Sequence, residues 1–112
     1  MDLKNNFMLK AIELSINSVN TAGGPFGCVI VKENKIIAEG SNKVTSSNDP
    51  TAHAEVMVMR EAAQLKGNYR LGGSIYVTLE PCLMCLGAMI HARVKRLVFG
   101  AHDTVAGAAV SV

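Results

Sequence analysis

Apolar residues recur at helical spacing near the start of the chain. Over residues 3–19 this spacing predicts one amphipathic helix. Its apolar positions are Phe7, Ala11, Ile12, Ile16 and Val19. Gly23-Gly24-Pro25 follows and predicts the end of the helix, because glycine and proline are the strongest breakers of local structure.

Short apolar and β-branched runs further along the chain predict strands. They cover 28–32, 35–39, 74–79 and 96–100. Glu33-Asn34 between the first two runs predicts a hairpin. A second helix is predicted from Pro50 to about Lys66, with Asp49 as its N-cap, and a third from Pro81 to about Ala92.

The strand pattern indicates the fold class. Val29-Ile30-Val31 and Leu97-Val98-Phe99 are apolar at successive positions, so both faces of the sheet should be covered. Strand, helix and strand over 74–100 fit a right-handed parallel crossover. The prediction is an α/β protein, a three-layer α/β/α sandwich with a mixed central sheet, and one domain over 1–112.

Composition and charge narrow the function classes without selecting one. Of the 112 residues 49% are apolar, which favours a packed core over disorder. The net charge of +2 neither requires nor excludes nucleic acid. The cluster 93–96 (Arg-Val-Lys-Arg) fits a phosphate contact, and it equally fits a solvated helix end. Without a secretory signal or an apolar run of membrane-spanning length, the expected location is the cytoplasm, with no membrane partner.

Two of the three cysteines are spaced Cys-x-x-Cys, at Cys82 and Cys85. An odd cysteine count argues against a disulfide framework, and in a reducing compartment this spacing suggests a metal site or a redox pair. His53 and Glu55 precede them, and both segments lie at predicted helix starts. Helix N-termini favour thiolates, and residues three apart share one face of a helix.

These residues predict a catalytic zinc site with one ion per chain. His53, Cys82 and Cys85 supply three ligands, which leaves a tetrahedral zinc ion one position for water. Glu55 is not needed as a ligand, so it is free to move protons. A structural Cys₃His site would need Cys28, which lies in an apolar strand and fits the core better. A redox pair would leave His53 and Glu55 unexplained.

At these residues the sequence resembles the cytidine-deaminase-like superfamily of zinc deaminases, over essentially its whole length. The segments 23–27, 31–32 and 46–55 resemble bacterial guanine deaminase. The segments 68–71, 76–93, 97–101 and Asp103 resemble bacterial tRNA adenosine deaminase, and this match is the longer and more specific one.

The resemblance implies a purine pocket and a hydrolytic deamination. Asn42 matches the asparagine that hydrogen-bonds the purine ring, although a turn role after Gly40 is the alternative. The backbone of Ala54 lies beside the pocket, and Pro25 and Phe26 form part of its wall, although Phe26 could equally belong to the core. Asp103 matches a position near the substrate sugar. Water activated at the metal would attack C6 of adenine or C2 of guanine, with Glu55 carrying the proton.

Further expectations concern the substrate, the assembly and the two remaining histidines. Adenosine in tRNA or another single-stranded nucleic acid is the first substrate, free guanine the second, and cytosine or cytidine a distant third. A catalytically silent zinc-binding module of the same fold is the alternative of a different class. Both families continue past the position of residue 112, so a C-terminally short domain should expose apolar surface, and we expect a homodimer. His91 and His102 are expected to be non-ligands.

Overall fold

The computed structural model describes residues 3–19 and 24–109. Four helices and four strands follow one another along the chain, and they are α1 (Leu3–Val19), β1 (Gly27–Lys32), β2 (Lys35–Ser41), α2 (Val44–Ser47), α3 (Ala54–Lys66), β3 (Ser74–Leu79), α4 (Leu83–His91) and β4 (Arg96–Ala101). None of these helices is long and apolar enough to cross a membrane.

The sheet has the strand order β2-β1-β3-β4. β1 is antiparallel to both β2 and β3, whereas β3 and β4 are parallel and are joined through α4. The mixed sheet and the parallel crossover are therefore confirmed. Glu33 and Asn34 both have positive φ, as a two-residue hairpin of type I′ requires.

Helices cover both faces of the sheet, as the apolar strands predicted. On one face, Cys28, Ile30 and Val77 pack with residues of α3 and α4 in the main core. On the other face, Val29, Val31 and Tyr76 pack against the side chains of α1. The three-layer α/β/α sandwich is confirmed.

The face that α1 turns to the sheet differs from the apolar stripe in the sequence. Phe7 and Ala11 pack inward, but Ile12, Ile16 and Val19 are exposed. Gly27 explains this, because a Cβ at this position would lie 2.1 Å from the Ala11 carbonyl oxygen. Such a close approach of helix and strand favours small residues at the contact, so Ala11 and Ser15 face β1, whereas Ile12, Ile16 and Val19 turn outward.

The start of α3 also differs from the prediction. The helix begins at Ala54 with His53 as its N-cap, not at Pro50. Asp49 does not cap it: its Oδ1 accepts hydrogen bonds from the backbone N–H and the hydroxyl of Thr51, which closes a local turn. The short helix α2 was not predicted. Gly23, part of the predicted stop after α1, lies outside the described residues.

Candidate metal centre and active site

The candidate site lies at one edge of the sheet, which we call the site edge. Four chain segments meet there: the residues before β1, those after β2, those after β3 and those after β4. The N-termini of α3 and α4 point to the same edge, because His53 caps α3 and Cys82 caps α4. Because the residues after β3 lead directly into α4, the fold brings five separate segments to one place.

Three potential metal ligands meet at the two helix starts. His53 Nδ1 lies 3.7 Å from Cys82 Sγ and 3.6 Å from Cys85 Sγ, and the two sulfurs lie 3.7 Å apart. Tetrahedral zinc with ordinary bond lengths places two sulfurs roughly 3.8 Å apart, and a nitrogen and a sulfur roughly 3.6 Å apart. The three donor atoms therefore fit zinc in both chemistry and spacing. Among the described residues, this is the only group of three or more His, Cys, Asp or Glu side chains that could hold one metal ion.

The electrostatics of the metal-free site favour the protonated form of the Cys85 thiol. Burial raises the pKa of Cys85 far above its usual value of 9.0, and the nearby Glu55 and Cys82 raise it further. A divalent cation reverses this balance, because it binds the thiolate form. Two sulfurs and one imidazole leave one position of a tetrahedral ion for water, which is the arrangement of a catalytic site.

Glu55 is buried beside the three ligands, with 6% of its surface exposed. Burial raises the pKa of its carboxyl group above the usual 4.5, while a hydrogen bond with Cys85 and the charge of His53 act in the opposite direction. Glu55 is not one of the three clustered ligands. A buried carboxyl group with a raised pKa, next to an ion-binding group, suits a residue that accepts and returns a proton.

A cavity of about 480 Å³ opens next to the ligands and has the size of a small-molecule site. Phe26, Asn42, Ala54 and Asp103, which the resemblance assigned to the purine pocket, are among the residues that line it. Pro25 is exposed and is not among the lining residues. Residues of the unpredicted α2, Val44 and Thr45, complete the wall.

Asn42 holds a turn and also lines the cavity. Its Oδ1 accepts a hydrogen bond of 2.7 Å from the backbone N–H of Val44, which is the turn role. The same side chain lines the cavity. The turn fixes the orientation of the amide, and an amide offers both donors and an acceptor to a base edge.

Glu80 is a site residue that the sequence analysis missed. It is 5% exposed and lines the cavity, and its Oε1 lies 3.1 Å from His102 Nδ1 and 3.3 Å from the backbone nitrogen of Asp103. The Asp103 carboxylate in turn accepts hydrogen bonds from the backbone N–H groups of Ala106 and Val105. These hydrogen bonds lower the pKa of the Asp103 carboxyl group. The sequence around Glu80 does not indicate that its carboxylate holds a loop. Its partners, His102 and Asp103, follow β4 and are distant in sequence.

The segment 102–108, which we call the C-terminal loop, closes this side of the cavity. Gly107 forms a β-bridge with Cys82, and the backbone N–H of Ala108 donates to the Pro81 carbonyl at 2.9 Å. A Cβ at Gly107 would meet the Asp103 carbonyl oxygen and the Glu80 carboxyl carbon at 2.5 Å. The loop is thus packed directly against a ligand-bearing segment.

The remaining candidate residues lie away from the ligands. Cys28 is fully buried in the main core, outside the ligand group, so it does not complete a Cys₃His site. His91 is exposed in the last turn of α4, and His102 packs on Phe99 with ring centroids 5.2 Å apart. Neither histidine belongs to the ligand group.

Comparison with protein families supports the zinc site that the geometry indicates. Residues 1–101 match the model of the cytidine and deoxycytidylate deaminase zinc-binding region. The chain belongs to this family. Its members are zinc-dependent deaminases, so the three-ligand group and the adjacent Glu55 lie in a deaminase domain, as the sequence resemblance implied.

Individual relatives carry two different names. The guanine deaminase of Bacillus subtilis (strain 168) is 51% identical over 105 residues, which are 92% of this chain and 67% of that protein. The tRNA-specific adenosine deaminase of Buchnera aphidicola subsp. Schizaphis graminum (strain Sg) is 55% identical over 78 residues, which are 69% of this chain and 52% of that protein. The chain therefore spans between about half and two thirds of these relatives.

Solved structures of deaminases share the fold. A structure from a study of A-to-I editing by tRNA:A34 deaminases superposes with a TM-score of 0.90 at 41% identity, covering 93% of this chain and 76% of that one. This confirms the cytidine-deaminase-like α/β fold.

Proposed function

We propose that this protein deaminates a purine base by zinc-dependent hydrolysis, with adenosine in tRNA or another single-stranded nucleic acid as its first substrate. The observation that carries the proposal is the meeting of His53, Cys82 and Cys85 at zinc-compatible distances beside a buried Glu55. Relatives with the tRNA-specific name, 55% identical in one case, support the choice of adenosine.

Each residue at the site has a defined task in this proposal. Bound zinc supplies the Lewis acidity that makes water a nucleophile near neutral pH. Glu55 takes one proton from the water and delivers it to the purine ring nitrogen. It then moves the second proton, from the hydroxyl group added to the base, to the amine, which departs as ammonia. Asn42 binds the base edge, the backbone of Ala54 lies beside it, and Phe26 and Asp103 bound the cavity. In a folded RNA, the target base must leave its stack to enter.

The test is a deamination assay on four substrates: guanine, adenosine, cytidine and a single-stranded RNA oligonucleotide that contains adenosine. We expect turnover on the oligonucleotide, and a loss of roughly 10²–10⁴-fold in kcat for Glu55→Gln, because the amide cannot carry the proton. Zinc content should be unchanged in the variant, since Glu55 is not a ligand. A zinc-loaded wild-type protein without turnover on any substrate would contradict the proposal and favour the silent module.

Free guanine is the second candidate, and one observation favours it. Among the described residues, no lysine or arginine lines the cavity, so the cavity offers contacts to a base and none of the usual cationic contacts to phosphate. The B. subtilis guanine deaminase, 51% identical, supports the same candidate. Turnover of guanine without turnover of the oligonucleotide would select it.

We also propose that the protein forms a homodimer in the cytoplasm. Large apolar side chains are exposed along α3 and α4, and they are Leu65, Leu83, Met84 and Ile90. Such a surface is usually buried against another chain. Unpaired thiols that serve as metal ligands suit a reducing compartment. Light scattering that shows a monomer at micromolar concentration would contradict the dimer.

A further inference from the structure

A group of cations lies at the edge of the sheet opposite the site edge. Seven of the eleven lysines and arginines belong to it, and we call this set the basic edge: Lys32, Lys35, Lys66, Arg70, Arg93, Lys95 and Arg96. A six-residue strand such as β3 separates the two edges by roughly 17 Å. The cluster 93–96 noted in the sequence is therefore not at the cavity mouth.

Strand register places part of this set in one row. Lys35 pairs with Lys32 across β2 and β1, Val31 next to Lys32 pairs with Ser74 of β3, and Ser74 pairs with Arg96 of β4. The row crosses all four strands at one end of the sheet. Because successive residues of a strand point to opposite faces, Lys32 and Lys35 share one face and Arg96 lies on the other. Neighbouring strands lie about 4.8 Å apart, so the row spans a length comparable to several nucleotide phosphates.

Connections between the elements bring the other cations to the same edge. The backbone N–H of Lys95 donates to the Gly73 carbonyl at 2.9 Å. Lys66 Nζ lies 2.6 Å from the Arg70 carbonyl oxygen, and both Lys66 Nζ and Lys32 Nζ lie 3.4 Å from the Leu71 carbonyl oxygen. Two ammonium groups thus converge on one carbonyl, and Lys32 lowers the pKa of Lys66. An anion at this position would relieve their repulsion.

Acidic side chains do not compensate these charges. Within residues 3–19 and 24–109, none of the seven forms a salt bridge, whereas Lys10 pairs with Glu13 and Glu39 and Arg60 pairs with Asp49. Glu33, in the hairpin turn, is the one carboxylate that the sequence places among the seven. Since the whole chain has a net charge of only +2, the rest of the molecule is net negative. The protein therefore has one cationic end and an acidic site edge.

An aromatic ring accompanies the cations. Tyr69 is exposed, and the Arg70 guanidinium lies 5.7 Å from the centre of its ring. Exposed aromatic rings next to cations are the usual combination in surfaces that bind single-stranded nucleic acid, where bases stack and phosphates pair.

We propose that the basic edge binds the phosphate backbone of the nucleic acid, separately from the cavity that takes the base. This inference rests on the nucleic-acid branch of the proposed function. A nucleic-acid substrate is a polyanion and needs cationic contacts. Among the described residues no cation lines the cavity, so these contacts must lie elsewhere on the protein.

The test compares two double variants of matched composition. Lys95→Gln with Arg96→Gln removes two cations of the basic edge, and Lys10→Gln with Arg60→Gln removes two cations outside it. Binding of a fluorescein-labelled single-stranded RNA oligonucleotide is measured by anisotropy over a series of salt concentrations. We expect the first variant to raise Kd by about tenfold at low salt and to reduce the slope of log K against log salt by about 1–2. The second variant should leave the slope unchanged.

The outcomes separate this inference from the proposed function. Equal slopes for wild-type protein and both variants would overturn the inference, as would binding to anionic phosphatidylserine vesicles but not to RNA. All four positions are outside the cavity, so turnover of a free base or nucleoside should be unaffected in both variants. Salt-dependent RNA binding through the basic edge without deamination of any substrate would uphold the inference and contradict the proposed function. Unchanged thermal unfolding midpoints show that the variants are folded.

Discussion

Cys85 and Cys28 are both buried cysteines, but only Cys85 lies in the ligand group. We expect Cys85→Ala to lose stoichiometric zinc, and with it the stabilisation that a metal bound only to the folded state provides. Cys28→Ala is the matched control: it leaves a small void in the core and should retain one zinc ion per chain. Zinc analysis of the purified proteins, together with thermal unfolding, measures both effects.

An equal loss of zinc in the two variants would show that the core, and not the sulfur ligand, controls metal content.

At the residue scale, the sequence predicted the metal ligands correctly, because residue type and local spacing decide metal chemistry. Cys82 and Cys85 are separated by about one helical turn, so their proximity is local. Glu80 is the counterexample, since its contacts with His102 and Asp103 span 22 and 23 residues.

At the scale of elements, the close contact of α1 with β1 depends on Gly27. An alanine there would place a Cβ 2.1 Å from the Ala11 carbonyl oxygen and 2.7 Å from the Ser15 nitrogen. We expect Gly27→Ala to destabilise the protein by about 1–3 kcal/mol or more, because α1 must shift away from the sheet. Urea unfolding monitored by circular dichroism measures the change.

Gly87 of α4 provides the contrasting substitution. A Cβ there meets no atom within 4 Å, so Gly87→Ala should stabilise the helix by about 0.5–1 kcal/mol. Equal stabilities for the two alanine variants would contradict the packing of α1 described above. The sequence did not indicate this contact, because the stripe that includes Ile12, Ile16 and Val19 is apolar, whereas the face that packs includes the small residues Ala11 and Ser15.

The C-terminal loop depends on the carboxylate of Glu80. We expect Glu80→Ala to speed amide hydrogen exchange at Val105, Ala106 and Gly107, because the loop loses its contacts with Glu80 Oε1 at His102 and Asp103. Glu80→Gln keeps an acceptor oxygen and should restore most of the protection. Mass spectrometry of exchanged peptides gives the measurement, with β1 as internal reference.

Loop protection that is unaffected in Glu80→Ala would show that the β-bridge between Cys82 and Gly107 holds the loop by itself.

The sequence predicted the strands and the helices α1, α3 and α4, but it missed α2 and placed the start of α3 at Pro50. The second error arises because the turn of Asp49 and Thr51 competes with helical hydrogen bonding at that position.

At the scale of the whole molecule, zinc binding is coupled to protonation. The pKa of Cys85 is raised above 9.0 in the metal-free protein, so at neutral pH the thiol must lose its proton when zinc binds. The apparent zinc affinity should therefore rise with pH, by about tenfold per pH unit for each proton released. Competition with a chromophoric chelator at several pH values measures this dependence.

A zinc affinity that is flat with pH below neutrality would mean that the thiols are already ionised without metal. The stability of the folded protein in the presence of zinc follows the same direction, since metal that binds only the folded state adds to its stability. Acidification should thus lower the unfolding midpoint of the zinc-loaded protein more than that of the metal-free protein.

By itself, the amino-acid sequence determined which residues can hold the metal, which carboxylate can move a proton, and the order of most elements. These properties depend on side-chain chemistry and on spacings within one helix or strand. The tertiary structure decided which ends of the strands share an edge, and so placed Glu80 in the cavity wall, the small face of α1 on the sheet and seven cations far from the zinc ligands. Such placements depend on strand order and on contacts between residues distant in sequence, which no local pattern encodes.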